Sequence, residues 1–470
     1  MRCLFPLLIV GCAADSSPPS PPAPAAENVN GVADAPPRSV QDTIARVADR
    51  FDVPGIAVAS IRQGQVAWIS THGAAATDRS VDPDTVFNVA SLTKPIFATL
   101  VMHQVAAGHF SLDAPLSQHW VDPDVTDDPR HQTLTARLAL SHQSGLPNWR
   151  GKKPLAFSFD PGARHEYSGE GFEYVRRALE RATGRTLPEL MQESVLVPAE
   201  MESTQFGWSE TLANRIATGY REDGAAFDMG YLRNRGPNAA ANTFTTIRDM
   251  ARFAAWFARG ADLPKDAYAE LLSPQAVYKN PVEFFAIGWR VIRVAGAPVV
   301  SHDGREGGLR TLMVINPKTE DGLVILTNSS NGELVTREII AAALPDGPAL
   351  NAQTDRDVWL FFVAQPPPAQ AAMLQFIARS PSFTAKVLHA AATRLADSGV
   401  LTEAQVVTAQ RHTNRIVLAH HEGRLDAEAL APQLALLDTD PGAEVQMLER
   451  FNVVQANAWL AGLEGLLGTP

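Results

Sequence analysis

The stretch Val86-Phe87-Asn88-Val89-Ala90-Ser91-Leu92-Thr93-Lys94-Pro95-Ile96-Phe97-Ala98-Thr99-Leu100-Val101 decides how this chain is read. An extended apolar run ends at Ala90, and a helical pattern follows from Ser91 to about Ala107. Pro95 falls within the first helical turn, where proline is tolerated. Ser91 and Lys94 are three residues apart, so they share one face about one turn apart. The hydroxyl then sits at the positive end of the helix dipole with an amine in reach, which is one way to build a nucleophile beside a base. Ser-x-x-Lys alone is a weak signal, since an N-cap serine followed by an exposed lysine gives the same letters.

Working outward, Val40–Phe51 carries Ile44, Val47, Ala48 and Phe51 at helical spacing. Gly55–Ile61 and Val66–Ser70 read as strands joined by the turn Arg62-Gln63-Gly64-Gln65. Helices are expected at Leu134–Ser141, Gly171–Thr183, Leu187–Val195 and Thr246–Arg259. Strand patterns return at Ala286–Ile292, Pro298–Ser301, Arg310–Asn316 and Gly322–Thr327, the last two joined by a turn at Asn316–Gly322. Strands at the start, helices in the middle and strands at the end imply an α+β fold. One antiparallel sheet is built from both ends, flanked by helices and interrupted by an all-helical insert. After about Leu350 the pattern is helical only, and Leu401-Thr402-Glu403-Ala404-Gln405 reads as a capping box.

Composition excludes several function classes. The 470 residues are 45% hydrophobic and 19% charged, which is globular material with an ample core. The net charge of -11 and the lack of a Lys/Arg block argue against a nucleic-acid partner. No apolar run reaches the roughly 18 residues that a spanning helix needs. Both cysteines, Cys3 and Cys12, lie near the start, so the rest of the chain offers no internal disulfide, thiol nucleophile or thiolate metal site. His420-His421, with His412 and His389, lacks a spacing such as His-Glu-x-x-His, and no metal or cofactor is expected.

Arg2 followed by the apolar run Leu4–Val10 resembles a short signal peptide, and Ile9-Val10-Gly11-Cys12 resembles a lipobox with Cys12 as the lipid attachment residue. Ser16–Arg38 is rich in Pro, Ala and Ser, as a tether would be. The expected organisation is a signal at 1–11, a tether at 12–38, a catalytic domain at 39–346 and a helical extension at 347–470. The expected location is the cell envelope, on the outer membrane facing the periplasm. The extension is read as a packing, self-association or partner-binding module.

Three further stretches bear on Ser91. His165-Glu166-Tyr167-Ser168-Gly169-Glu170-Gly171-Phe172 places a phenol in a Gly-rich turn entering a helix. Ser301-His302-Asp303-Gly304-Arg305-Glu306-Gly307-Gly308 is a polar, Gly-rich edge between strands, where backbone approaches a ligand closely and an N–H can face an oxyanion. Ser141-His142-Gln143-Ser144-Gly145-Leu146-Pro147 ends a helix.

In this order and spacing, the four stretches resemble the serine β-lactamase and penicillin-binding-protein superfamily, most nearly its class C-like branch of β-lactamase-related hydrolases and esterases. The segment Asn328-Ser329-Ser330-Asn331-Gly332 resembles that branch's closing segment. The resemblance covers roughly residues 40–345 and implies Ser91 as nucleophile, with Lys94 and Tyr167 sharing the proton transfers. It implies an oxyanion hole of the Ser91 and Arg305 backbone N–H groups, with His302, Asp303, Gly304 and Gly169 facing the substrate. The activity implied is hydrolysis of a small ester or amide through an acyl-enzyme. A D,D-peptidase, a weak β-lactamase or a penicillin-binding sensor are the alternatives. Three positions depart from the family. Gly169 stands where it usually has Asn, and His302 and Asp303 stand where β-lactamases have Lys and Thr. Asp303 would repel a substrate carboxylate unless Arg305 or Arg310 neutralises it, and His302 is expected to be partly charged near pH 7. These departures point toward an esterase, or an amidase acting on an uncommon substrate, rather than a potent β-lactamase.

Overall fold

The computed structural model describes residues 35–280, 283–363 and 381–397, with single positions between 399 and 419. Cys12, the Pro-rich stretch up to Asp34 and His420-His421 lie outside the described residues. Helix α1 (Arg38–Arg50) leads into strands β1 (Gly55–Arg62), β2 (Gln65–Ala76), β3 (Arg79–Ser80) and β4 (Val86–Asn88). Helices α2 (Thr93–Ala106), α3 (Ala136–Leu140), α4 (Gly169–Thr183) and α5 (Leu187–Met191) follow. Next come β5 (Gln205–Phe206), β6 (Thr243–Thr246), α6 (Ile247–Ala258) and α7 (Lys265–Leu272). The chain closes the fold with β7 (Ala276–Asn280), β8 (Glu283–Phe285), β9 (Arg290–Val294), β10 (Ala297–Glu306), β11 (Leu309–Asn316) and β12 (Asp321–Thr327), then α8 (Gly332–Ala343) and α9 (Gly347–Val363).

Nine strands form one sheet in the order β3-β2-β1-β12-β11-β10-β9-β8-β7, every pair antiparallel. The sheet therefore joins the two ends of the domain, with Ile56 opposite Thr327 and Val58 opposite Ile325. β1 is buried along almost its whole length, as a central strand covered on both faces must be. Strand alternation divides its side chains between two layers. Ile56 and Val58, with Leu323 and Ile325, pack with Ile44 and Val47 of α1 and Ile339 of α8. Ala57, Ala59 and Ile61, with Val324 and Leu326, face a larger core containing Phe97 of α2 and Phe253 and Phe257 of α6. A second, three-stranded sheet, β4-β6-β5, seats the chain just ahead of Ser91.

The expected antiparallel sheet and helical middle are present, with two corrections among the late strands. Ala286–Trp289 is a turn, not the start of a strand: Ala286 N–H donates to Trp289 C=O at 2.7 Å and Gly288 N–H donates to Leu140 C=O at 2.9 Å. The polar stretch His302–Glu306 is no loop but the second half of β10, and the turn falls at Gly307-Gly308.

Beyond α8, α9 packs on α8 and on β9, and the helix Pro381–Asp397 packs on α9. Asp355, almost fully buried, ties these helices together. It receives both guanidinium arms of Arg337 at 2.7 Å and the Thr393 hydroxyl at 3.0 Å. Thr402 and Gln405 exchange the bonds of a capping box, as the sequence pattern requires.

Candidate active site

Ser91 lies on a strained turn. Ala90 has φ of +47°, a left-handed conformation that costs a residue with a Cβ roughly 1–3 kcal/mol. Its N–H donates to Asn88 Oδ1 at 2.9 Å, and its C=O accepts from Thr93 Oγ1 at 2.7 Å. Asn88 is held in turn by Asn242 Oδ1 at 3.2 Å. The chain thus bends from β4 into a short 3-10 turn, Ala90–Leu92, which α2 continues. Ser91 is partly buried at this junction, one turn ahead of Lys94.

Lys94 is fully buried. Its Nζ donates to Ser91 Oγ at 3.1 Å and to Ala240 C=O at 2.9 Å. Burial lowers its pKa to about 7, against the opposite pull of Asp303 and Glu173, because a low-dielectric site disfavours the charged amine. The Ala240 carbonyl is aimed by its own loop: Asn238 Oδ1 accepts from Ala240 N–H at 2.7 Å and Ala241 N–H at 2.8 Å, and Glu173 accepts from Ala239 N–H at 2.6 Å. No side-chain pattern in Asn238-Ala239-Ala240-Ala241-Asn242 marks that role.

The Tyr167 ring centroid lies 4.7 Å from Lys94 Nζ and 4.2 Å from the His142 ring. His142, contributed by the segment after α3, received no role from the sequence. It is fully buried, and its Nδ1 accepts the Ser168 N–H at 3.1 Å, so the ring proton lies on Nε2. Burial, reinforced by Lys94, holds its pKa well below the ordinary histidine value. Tyr167 therefore has a neutral imidazole on its ring face and an amine close to it.

β10 forms the other wall. Its pairing with β9 ends at Ser301 opposite Arg290, while pairing with β11 runs on to Glu306. The free edge of His302–Glu306 faces the turn that carries Ser91. Gly304 makes this approach: a Cβ there would run into Thr311 Oγ1 and the Val89 carbonyl, and would lie 3.2 Å from Ser91 N. Thr311 Oγ1 donates to Val89 C=O at 3.1 Å, locking strand to turn.

Of the remaining positions, Asp303 and Arg305 lie at the exposed rim, while His302 and Gly169 are buried. His302 is buried, and its Nδ1 donates to Asp303 C=O at 2.7 Å, leaving Nε2 as a bare acceptor with no protein partner among the described residues. Burial lowers its pKa to about 4, so the expected partial charge is absent and His302 is neutral at pH 7. The Asp303 side chain is 56% exposed, with Arg305 Nε 3.4 Å from its carboxylate. Desolvation opposes ionisation there, but Arg305 and neighbouring cations outweigh it and keep Asp303 charged. Arg305 also donates to Glu333 at 2.7 Å, and Glu333 receives Lys386 from the helix Pro381–Asp397. Gly169 is buried in the first turn of α4. A Cβ there would lie 2.8 Å from the Trp149 indole.

Sheet, helices and the Ser–Lys–Tyr cluster together define the class of the serine β-lactamases and penicillin-binding proteins. A family model described as Beta-lactamase matches residues 40–345, and the chain belongs to that family. It is 23% identical over 326 residues to Unguisins hydrolase ungD' of Aspergillus campestris (strain IBT 28561), covering 62% of this chain and 61% of that protein. This chain thus spans about three fifths of that hydrolase's length. It is 26% identical over 324 residues to Penicillin-binding protein 4 of Amycolatopsis lactamdurans, covering 60% of this chain and 84% of that protein. The octameric penicillin-binding protein homologue from Pyrococcus abyssi shares the fold, with a TM-score of 0.57 and 19% identity over 65% of this chain and 76% of that one.

Proposed function

We propose that this chain hydrolyses carboxylic esters or amides through an acyl-enzyme on Ser91. The observation that carries the reading is Lys94, an amine with a pKa near 7 whose Nζ lies 3.1 Å from the Ser91 hydroxyl. Its neutral form takes the hydroxyl proton as Oγ bonds to the substrate carbonyl carbon, a step worth about 10²–10⁴ in rate for general-base catalysis. The backbone N–H groups of Ser91 and Arg305 hold the oxyanion. Tyr167, beside the resulting ammonium, relays a proton to the leaving alcohol or amine as its bond to the carbonyl carbon breaks. Water then attacks the acyl carbonyl, and the same groups return the proton to Ser91.

The rim favours a neutral ester. His302 is buried and neutral, Asp303 is anionic, and Arg305 is already divided between Asp303 and Glu333. Similarity to Penicillin-binding protein 4 supports a second reading, a D,D-peptidase or weak β-lactamase. The lipobox-like Ile9-Val10-Gly11-Cys12 supports a lipid anchor on Cys12 and an envelope location.

The test offers purified protein short-chain p-nitrophenyl esters, nitrocefin and a D-Ala-D-Ala peptide, with Ser91→Ala as control. Ester turnover with a mass shift on Ser91 is the expected result. Turnover that survives Ser91→Ala would sink the mechanism, and stoichiometric labelling without turnover would identify a sensor. Membrane fractionation of Cys12→Ser tests the anchor, since release is expected and unchanged fractionation refutes it.

A further inference from the structure

Trp149 is exposed to 45%, one of two large apolar side chains exposed to this degree among the described residues. Its neighbours hold it in place on both sides. The Asn148 C=O accepts the N–H groups of Gly169 and Glu170, each at 3.1 Å, and Asn148 Oδ1 accepts the Gly169 N–H at 3.0 Å. On the other side, Arg150 N–H donates to Glu170 at 3.2 Å, and its guanidinium reaches Glu170 at 3.0 Å, Asp124 at 3.0 Å and Asp122 at 2.7 Å. Asp122 is buried and also receives Arg177 at 3.0 Å. The loop is thereby anchored to the first turn of α4.

That same turn follows Tyr167 by two residues. The edge of the indole, Cζ2 and Cη2, lies 2.8 Å from where a Cβ of residue 169 would be. A side chain at 169 and this indole exclude each other. The glycine, two residues after Tyr167, leaves room for an aromatic surface contributed from another loop. An aromatic ring that is apolar, partly exposed and already immobilised binds apolar groups with little further loss of conformational entropy.

We infer that Trp149 is a specificity-determining residue whose indole packs against an aromatic or bulky apolar substituent flanking the scissile bond. This rests on the reading of Ser91 as the acyl-transfer nucleophile. The substrate class is a neutral ester or amide that carries such a substituent on its acyl side or on its alcohol or amine side.

The experiment compares kcat/KM of the full chain for methyl acetate, methyl phenylacetate and benzyl acetate, followed by proton release. Comparing substrate ratios between proteins cancels the intrinsic reactivity of each ester. In Trp149→Ala, the ratio of one aryl ester to methyl acetate is expected to fall on the order of tenfold, as for loss of a pocket contact. Whichever aryl ester responds identifies the flank. Trp149→Phe retains most of the ratio. Gly169→Ala, whose added methyl presses on both the indole and the Asn148 carbonyl and so shifts the indole without removing it, lowers the ratio in the same direction. Unchanged ratios in both Trp149→Ala and Gly169→Ala overturn the inference. So does a proportional loss on all three esters with a falling thermal midpoint, which marks a purely structural role. Failure of the wild-type protein to hydrolyse any ester or amide overturns the hydrolase reading instead.

Discussion

Lys94 is bonded to Ser91 and Asp303 acts on Lys94, yet the surroundings of these two groups are opposite. Lys94 is fully buried, bonded to a hydroxyl and a backbone carbonyl, and brought to a pKa of about 7 by desolvation. Asp303 is mostly in solvent and stays ionised beside Arg305. The difference separates two tasks. A base must be desolvated to titrate near neutral pH, so the interior sets whether the chemistry runs. A charge at the rim is screened by water and salt, so it tunes the field and the choice of substrate.

The largest effect is expected inside. Lys94→Met removes the base of the proposed mechanism and leaves the Ser91 hydroxyl and Ala240 carbonyl without their donor. The expected loss in kcat/KM is about 10²–10⁴, read by steady-state ester hydrolysis with circular dichroism to confirm folding. A loss no larger than that of a rim variant would abolish the distinction between interior and rim.

Gly304→Ala comes next, at the place where the two regions meet. The added methyl would press on Thr311 Oγ1 and the Val89 carbonyl and approach Ser91 N, moving β10 away from the turn. Losing one oxyanion donor costs about 10²–10³ in kcat, and a loss of that size is expected mainly in kcat rather than KM. Equal kcat in the two proteins would show that β10 supplies no donor.

A smaller effect is expected in the pH profile. The proposed mechanism requires neutral Lys94, so kcat/KM is expected to rise with pH through about 7. Asp303 raises the Lys94 pKa, as does Glu173. Removing the negative charge in Asp303→Asn therefore lowers that pKa and moves the acid limb to lower pH, while Glu173 continues to act. A limb that stays in place or moves to higher pH would contradict the assignment of Lys94 as the titrating base.

The Ser91–Lys94 contact was legible in sequence because the two side chains stand at a short, fixed spacing. Ser91 and Lys94 are one helical turn apart, and Tyr167 precedes a helix start. The sheet was legible because short, nearly continuous apolar runs such as Gly55–Ile61 and Gly322–Thr327, bounded by turn residues, mark strands buried on both faces. What stayed hidden depends on the backbone or on distant contacts. The Ala240 carbonyl leaves no side-chain signal, and the second half of β10 is too polar to show an apolar alternation. The neutrality of His302 is set by burial, which local sequence does not state. Gly169 was visible as a departure from the family, but the indole of Trp149 that an added side chain there would meet lies 20 positions away in the chain.

The rim also meets the helical extension, and the smallest effect is expected there. Lys386 reaches Glu333, whose other partner is Arg305, so a residue beyond the family match ends a chain of ion pairs leading to Asp303. The Lys386 side chain is 39% exposed, and exposed ion pairs contribute about 0.2–1 kcal/mol. Lys386→Met leaves Glu333 to Arg305 alone, which strengthens that pair and loosens the hold of Arg305 on Asp303. The change in kcat/KM is expected to stay within about fivefold, the equivalent of 1 kcal/mol. It should shrink as salt rises, because screening removes the same interaction in both proteins. A loss comparable to that of Lys94→Met, or one indifferent to salt, would show that the extension governs the chemistry itself and not the field at its edge.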